Sequence, residues 1–350
     1  MTVPGSSDRI PVAVLTGFLG SGKTTILNHL VRSGELRDAA IIINEFGAIS
    51  LDHELVERTD GDIIEVKGGC LCCTVRGDLI AALGALVAKR ERGEVRAFDR
   101  VVIETTGLAD PAPVLHTLVN EPLAFAKFRL DGVLTVVDAV NGEATLAAHD
   151  EAVKQVAMAD RLLVTKLDLV SESEPLRARL RGLNPGAEQI DVAGGRVEGR
   201  LLFGLGPFDP SGKSQSVVAW MNAEAVAHHH HAHDVNRHDD RIRAFCLTTE
   251  QPISRMRLQF FTQLLGLMRG PDLLRVKGLV NIVERPGEPG VIHGVQHVFH
   301  PITWLKAWPS DDHRTRMVFI VRDLERHQIE ELFAALVDRP DQQEIPNAHV

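Results

Sequence analysis

Tyrosine is absent from this 350-residue chain, and aromatic residues make up only 5% of it. Stacking surfaces for bases are therefore scarce, which argues against a single-strand nucleic-acid platform. Basic residues are also outnumbered: 38 Lys and Arg stand against 47 Asp and Glu, for a net charge of -9. A protein held to nucleic acid by phosphate contacts needs the opposite balance. No apolar run approaches the roughly 20 residues that span a bilayer. Met1–Arg9 lacks the apolar core of a signal peptide. The expected location is the cytoplasm, with neither nucleic acid nor membrane as partner. Only four cysteines occur, three of them (Cys70, Cys72 and Cys73) within four residues. That spacing builds no disulfide framework, and in a reducing compartment it points to metal or redox chemistry.

What is present is an ordinary globular composition, 44% hydrophobic and 24% charged, at a length that suggests two domains. From Ile10 to about Ile190, short apolar strands alternate with helical stretches, the pattern of a mostly parallel sheet. Strands are expected at 12–16, 39–44, 62–66, 100–105, 132–138, 161–165 and 188–192. The spacing predicts helices over 24–32, 75–91, 111–118, 141–158 and 172–183. Between 205 and 241 the pattern dissolves into Gly, Pro, Ser and then a histidine run, read as a linker. Beyond it come strands at 242–248, 273–283, 291–299 and 316–321, with helices at 254–268 and 324–336. The expected architecture is α/β: a P-loop NTPase domain over 1–204, a His-rich linker over 205–241, and a smaller α+β domain with an antiparallel sheet over 242–350.

The organising motif is Gly17-Phe-Leu-Gly20-Ser21-Gly22-Lys23-Thr24-Thr25, which fits G-x-x-x-x-G-K-[ST] between a β-branched strand and an amphipathic helix. Glycines let backbone N–H groups converge on phosphates, and the helix N-terminus adds its dipole. Lys23 is expected to reach the β/γ-phosphates and the Thr24 hydroxyl to ligate Mg²⁺. A nucleoside triphosphate is the implied ligand. Asn44-Glu45-Phe-Gly47 follows the second strand, where a carboxylate can sit near Mg²⁺ or an incoming metal; a switch segment is favoured over a solvated turn. Arg100–Gly107 is an apolar strand ending in Glu104, then a glycine. Glu104 is read as holding Mg²⁺ through water or positioning the attacking water, and the Gly107 N–H as sensing the γ-phosphate. A cap for the next helix is the structural alternative.

Thr165-Lys166-Leu-Asp168 looks like the guanine-reading N-K-x-D, with Thr in place of Asn. Asp168, expected to be buried, accepts from the guanine N1–H and 2-amino group, and adenine offers no such pair of donors. The Lys166 stem would lie across the base, and the Thr165 hydroxyl would donate to N7. Three soft thiols at Cys70, Cys72 and Cys73 favour Zn²⁺ or Cu⁺ over hard cations. Cys73 joins the other two only if the chain turns into the helix expected at Val75. Three thiols leave a tetrahedral metal one ligand short, which suits transfer; Glu45, a water or a client group would complete it. Buried structural cysteines and a redox pair are the alternatives. Cys246, alone in an apolar strand, reads as core.

These motifs together resemble the CobW-type GTPases. G-x-x-G-x-G-K-T-T, I-N-E-F-G, G-G-C-L-C-C-T-V, I-E-T-T-G-L-A-D-P, V-V-D and K-L-D stand in that family's order and spacing. Arg275–Gly278 and Val318–Leu324 are similar to its second domain. The family belongs to the SIMIBI class of P-loop proteins and includes zinc chaperones and cobalamin-pathway metallochaperones. The resemblance implies a GTPase that holds a divalent metal, zinc or cobalt, at Cys70, Cys72 and Cys73. GTP hydrolysis would release the metal to a client protein. Related P-loop GTPases often complete their sites across a homodimer. No catalytic Gln or arginine finger identifies itself, so slow intrinsic hydrolysis is expected.

His228, His229, His230, His231 and His233, with His238 beyond, crowd one linker stretch. Neutral imidazoles in such tracts bind Zn²⁺, Ni²⁺ or Co²⁺ loosely, so an auxiliary metal arm stands against a plain solvated linker. A P-loop kinase or ligase and a thiol redox regulator are the competing functions, and neither explains the guanine motif and the triple thiol together.

Overall fold

The computed structural model describes residues 9–46, 63–68, 73–205 and 241–337. The chain divides into two compact units, Met1–Ala244 and Phe245–Val350.

The first unit is built on strands β1 (Ile10–Gly17), β2 (Ala39–Phe46), β3 (Ile63–Gly68), β4 (Arg100–Thr105), β5 (Phe128–Asp138), β6 (Arg161–Thr165) and β7 (Glu188–Val192). They form one parallel sheet of order β3-β2-β4-β1-β5-β6-β7. Strands covered on both faces must be apolar throughout. Thus Val12, Ala13, Val14 and Leu15 are all buried, although they point alternately to opposite faces. On one face, helix α1 (Lys23–Ser33) packs Ile26, Leu27 and Leu30 against Leu15, Ile41, Leu134 and Val136. The other face near β5 and β6 is covered by α5 (Gly142–Ala148), α6 (Asp150–Met158) and α7 (Glu174–Leu183), through Leu146, Val153, Val156, Leu176 and Leu180. Each such side chain fully removed from water contributes about 1.5–3 kcal/mol. The remaining helices are α2 (Cys73–Glu91), α3 (Ala112–Asn120) and α4 (Pro122–Lys127).

The α/β expectation with a P-loop sheet holds, with corrections in detail. The single helix expected over 141–158 is two, because His149 takes an extended conformation (φ -134°, ψ 109°) and ends α5 while starting α6. Its ring stacks on Phe18 at 4.4 Å, a contact an unbroken helix would not aim. Helix α4 is additional to the expected set; Pro122 forces Glu121 out of the helical region and then serves as the first residue of the new helix. Helix α2 begins at Cys73, two residues before Val75.

The second unit holds β8 (Ile242–Thr249), α8 (Arg255–Arg269), β9 (Leu273–Val280), β10 (Gly290–Val295), β11 (Val298–Phe299), β12 (Thr303–Trp304), β13 (Thr315–Arg322) and α9 (Arg326–Leu336). The sheet runs β11-β10-β9-β13-β8, with β12 on β10, and its β9, β10 and β13 pairings are antiparallel. Both helices bury one stripe in a shared core, where Phe261 meets Phe333 edge-on and Phe245 stacks on Phe319. The strand expected over 291–299 is a tight hairpin: Gln296 turns at φ 52° and Val295 pairs with Val298. Cys246 is buried, as its apolar strand suggested. His293 is also buried, with Nε2 2.8 Å from Arg275 Nη2.

Candidate functional site

The site gathers at the carboxyl ends of the parallel strands, where open α/β sheets bind ligands. Gly17, Gly20 and Gly22 all have positive φ, at 144°, 72° and 103°. At Gly17 a side chain would also run into the Val136 carbonyl oxygen on β5. Helix α1 then starts at Lys23 with no side-chain cap and no acidic residue in its first turn. Its N-terminal N–H groups and positive dipole are thus left to an anionic ligand.

Lys23 Nζ donates to the Gly17 carbonyl at 2.9 Å and to that of Phe18 at 3.3 Å, so the ammonium is held at the loop. The Thr24 hydroxyl donates to Glu104 Oε1 at 3.3 Å, and Glu104 is only 5% exposed. Beside them, Thr105 Oγ1 and Thr16 Oγ1 are 2.8 Å apart and tie β4 to β1. Gly107 lies directly on the P-loop: a Cβ there would stand 2.6 Å from the Leu19 amide nitrogen. Lys23, Thr24, Glu104 and Gly107 thus meet around one loop.

The opposite rim is made by the ends of β5 and β6 and by Lys166, which follows β6. Thr165 Oγ1 donates to the Ser21 carbonyl at 2.7 Å, so its single proton serves the P-loop. Lys166, at φ 58°, donates to the Gly20 carbonyl at 2.8 Å and to Asp138 Oδ2 at 2.6 Å. Burial pushes the Asp138 carboxyl up, but Lys166, Asn141 and the Val140 N–H together hold it below its ordinary value. The sequence assigns Asp138 no role beyond its place in V-V-D. The signal that could have found it is an apolar strand ending in a carboxylate, as at Glu104. Asp168 differs from expectation: it is exposed, because it sits in a single 3-10 turn (Leu167–Leu169) outside the sheet. Any penalty for an unmatched base must therefore arise when the ligand itself covers that carboxylate. Between the P-loop, the end of β5 and α5–α6 lies a cavity of about 200 Å³, lined by Phe18, Ser21, Asp138, Gln155 and Lys166 among others.

The thiol side is seen through its backbone. Glu45 on β2 pairs with Lys67 on β3, and Cys73 is the first residue of α2. Gly47, Cys70, Cys72, His228, His229, His230, His231, His233 and His238 lie outside the described residues. Among the described residues no group of three or more metal-binding side chains gathers, and no helix is long and apolar enough to cross a membrane.

A glycine loop cradled between β1 and α1, with a carboxylate at the end of the neighbouring β4, defines a P-loop nucleotide-binding protein. Comparison with known families sharpens this. Residues 11–191 match the CobW/HypB/UreG nucleotide-binding domain, and residues 242–337 match the cobalamin synthesis protein CobW C-terminal domain. The chain belongs to the CobW family. It is 32% identical to the zinc chaperone YjiA of Escherichia coli, over 93% of this chain and 98% of that one. It is 34% identical to the zinc-regulated GTPase metalloprotein activator 1 of Schizosaccharomyces pombe, over 55% of this chain and 47% of that one. The crystal structure of the Zn(II)-bound YjiA GTPase superposes with a TM-score of 0.68 at 29% identity, covering 94% of this chain and 99% of that one.

Proposed function

We propose that this chain is a GTP-hydrolysing metallochaperone. It binds zinc, with cobalt as the alternative cargo, at Cys70, Cys72 and Cys73, and passes it to a metal-requiring client protein when GTP is hydrolysed. The observation that carries this reading is the register of the strand ends. Leu15 of β1 lies beside Glu104 of β4, Glu104 beside Ile43 of β2, and Glu45 of β2 beside Lys67 of β3. In sequence, Gly69 and Cys70 follow directly on Gly68, where β3 ends. Three strand spacings separate β1 from β3, about 14 Å, so the strands that lead in sequence into the P-loop and into the thiol motif end along one side of the sheet. The names of the relatives, zinc chaperone and zinc-regulated GTPase metalloprotein activator, support it.

In this reading Lys23 turns from the loop carbonyls to the β- and γ-phosphates. The Thr24 hydroxyl and Glu104 carboxylate are hard oxygen donors that fit Mg²⁺, which when bound would offset charge on the phosphates. The Gly107 N–H meets the γ-phosphate. Asp168 accepts from guanine while the Lys166 stem covers the base. Three thiolates leave one zinc position for Glu45 or a client ligand. If zinc is held more tightly in one nucleotide state, zinc must alter nucleotide affinity by the same factor, and hydrolysis converts holding into release. The His-rich stretch of the 205–241 linker serves as an auxiliary loading arm between the 1–204 GTPase domain and the 242–350 domain. Phosphate release from GTP and ATP tests the enzymatic half. GTP should be preferred and Lys23→Ala should abolish turnover; equal turnover of ATP, or none of GTP, would count against it.

A further inference from the structure

We propose that Gln155 is a positioning residue for hydrolysis, the latch that holds the Thr106–Asp110 loop against the P-loop. The proposal rests on the GTPase reading above. Gln155 lies within α6 and is only 1% exposed. Its Nε2 donates to the Gly107 carbonyl at 3.2 Å and to the Ala109 carbonyl at 3.0 Å, so both amide protons are spent on one loop. Its Oε1 has no partner among the described residues, which leaves the two carbonyls as the contacts that orient the side chain. The Gln155 backbone carbonyl accepts from Thr135 Oγ1 at 2.7 Å, fixing the root of the side chain to β5.

The neighbouring residue grips the same loop from outside. Lys154 Nζ donates to Asp110 Oδ2 at 3.3 Å, while Asp110 Oδ1 accepts from the Ala112 N–H at 2.9 Å. On its inner side the loop meets the P-loop at the close approach of Gly107 to Leu19. The N-cap residue of α6, His149, stacks on Phe18 of the P-loop. One helix therefore holds both the phosphate loop and the loop that carries Gly107. A neutral amide suits the task. Glu would set its lone pairs against two carbonyls, and Met would leave both carbonyls without these donors. A loop free to drift by about 1 Å misplaces the Gly107 N–H, and such misplacement costs up to about 100-fold in rate.

The test compares full-length wild type, Gln155→Met and Lys154→Met. Gln155→Met should lower kcat for GTP by about 10- to 100-fold, leave GDP affinity within about threefold, and speed amide exchange of residues 106–110 while β1 and β4 stay protected. Lys154→Met should move the same quantities in the same direction, by less. Unchanged exchange of residues 106–110 in Gln155→Met overturns the latch whether or not the chain hydrolyses GTP. So does a joint fall in kcat, GDP affinity and sheet protection, which marks general destabilisation. A wild-type chain that leaves GTP intact overturns the GTPase reading instead.

Discussion

Gly107→Ala probes the close approach of the 106–110 loop to the P-loop. The added methyl would stand 2.6 Å from the Leu19 amide nitrogen and 2.7 Å from its Cα. Carbon atoms pack at about 3.5–4.0 Å, so one backbone must retreat by close to 1 Å. The P-loop is fixed by Thr165 and Lys166, which bond the Ser21 and Gly20 carbonyls, so the 106–110 loop is the part that gives. Its Gly107 and Ala109 carbonyls accept from Gln155 at 3.2 and 3.0 Å, so a shift of the loop strains both bonds. Overpacking costs about 1–3 kcal/mol, and each lost neutral bond about 1 kcal/mol. Relaxation of the loop trims this to a penalty of about 2–4 kcal/mol for any state that needs the loop docked. GTP-analogue affinity should therefore fall by about 30- to 1,000-fold, while GDP, which has no γ-phosphate for Gly107, should bind within about threefold of wild type. Equilibrium titration with fluorescent nucleotides reads both. Wild-type affinity for both nucleotides would refute the docked-loop argument, and an equal loss for both would refute its specificity for the γ-phosphate.

Two further outcomes follow from the same geometry. Thr165→Val keeps the shape but removes the donor that serves the buried Ser21 carbonyl, so urea denaturation should show a loss of about 1–3 kcal/mol; no loss would mean that the Thr165 bond is not structural. In the second unit, Asp312 is lowered from 3.8 to about 2, first by the Arg314 side-chain hydrogen bond and then by the Arg314 N–H and the Arg316 charge, against the opposing effect of burial. A depressed carboxyl stabilises fully above its unfolded value and loses that contribution as pH falls from about 4 to 2. The urea midpoints of wild type and Asp312→Asn should thus differ at pH 6 and converge towards pH 2; a difference independent of pH would contradict the assignment.

Much of the first unit was legible because parallel strands covered on both faces must read as unbroken apolar runs. Arg100–Thr105 and Arg161–Thr165 have the bounds their patterns suggest, and the edge strand Glu188–Val192 does so through alternation, with Ile190 and Val192 buried and Glu188 and Asp191 exposed. The P-loop was legible for a different reason: three backbone positions there take positive φ, and only glycine does so without strain. The break at His149 was hidden because apolar positions Leu146, Ala152, Val153 and Val156 keep helical spacing straight across it. The hairpin at Gln296 was hidden likewise, since apolar strand residues, Val291, Ile292 and Val295 before the turn and Val298 and Phe299 after it, stand on both sides. Asp168 shows the limit of motif chemistry, which names the acceptor but not its exposure. Thr165 and Gln155 show another: a hydroxyl and an amide declare their partners only when strands distant in sequence are brought together.

The central claim is that the nucleotide state sets the hold on the metal. Zinc affinity of the purified chain, measured by competition with a chromophoric chelator in saturating GTP analogue and again in GDP, tests it most directly. The two affinities should differ by about 5- to 150-fold, and the difference should vanish in Cys72→Ser. Equal zinc affinity in both nucleotide states would contradict it.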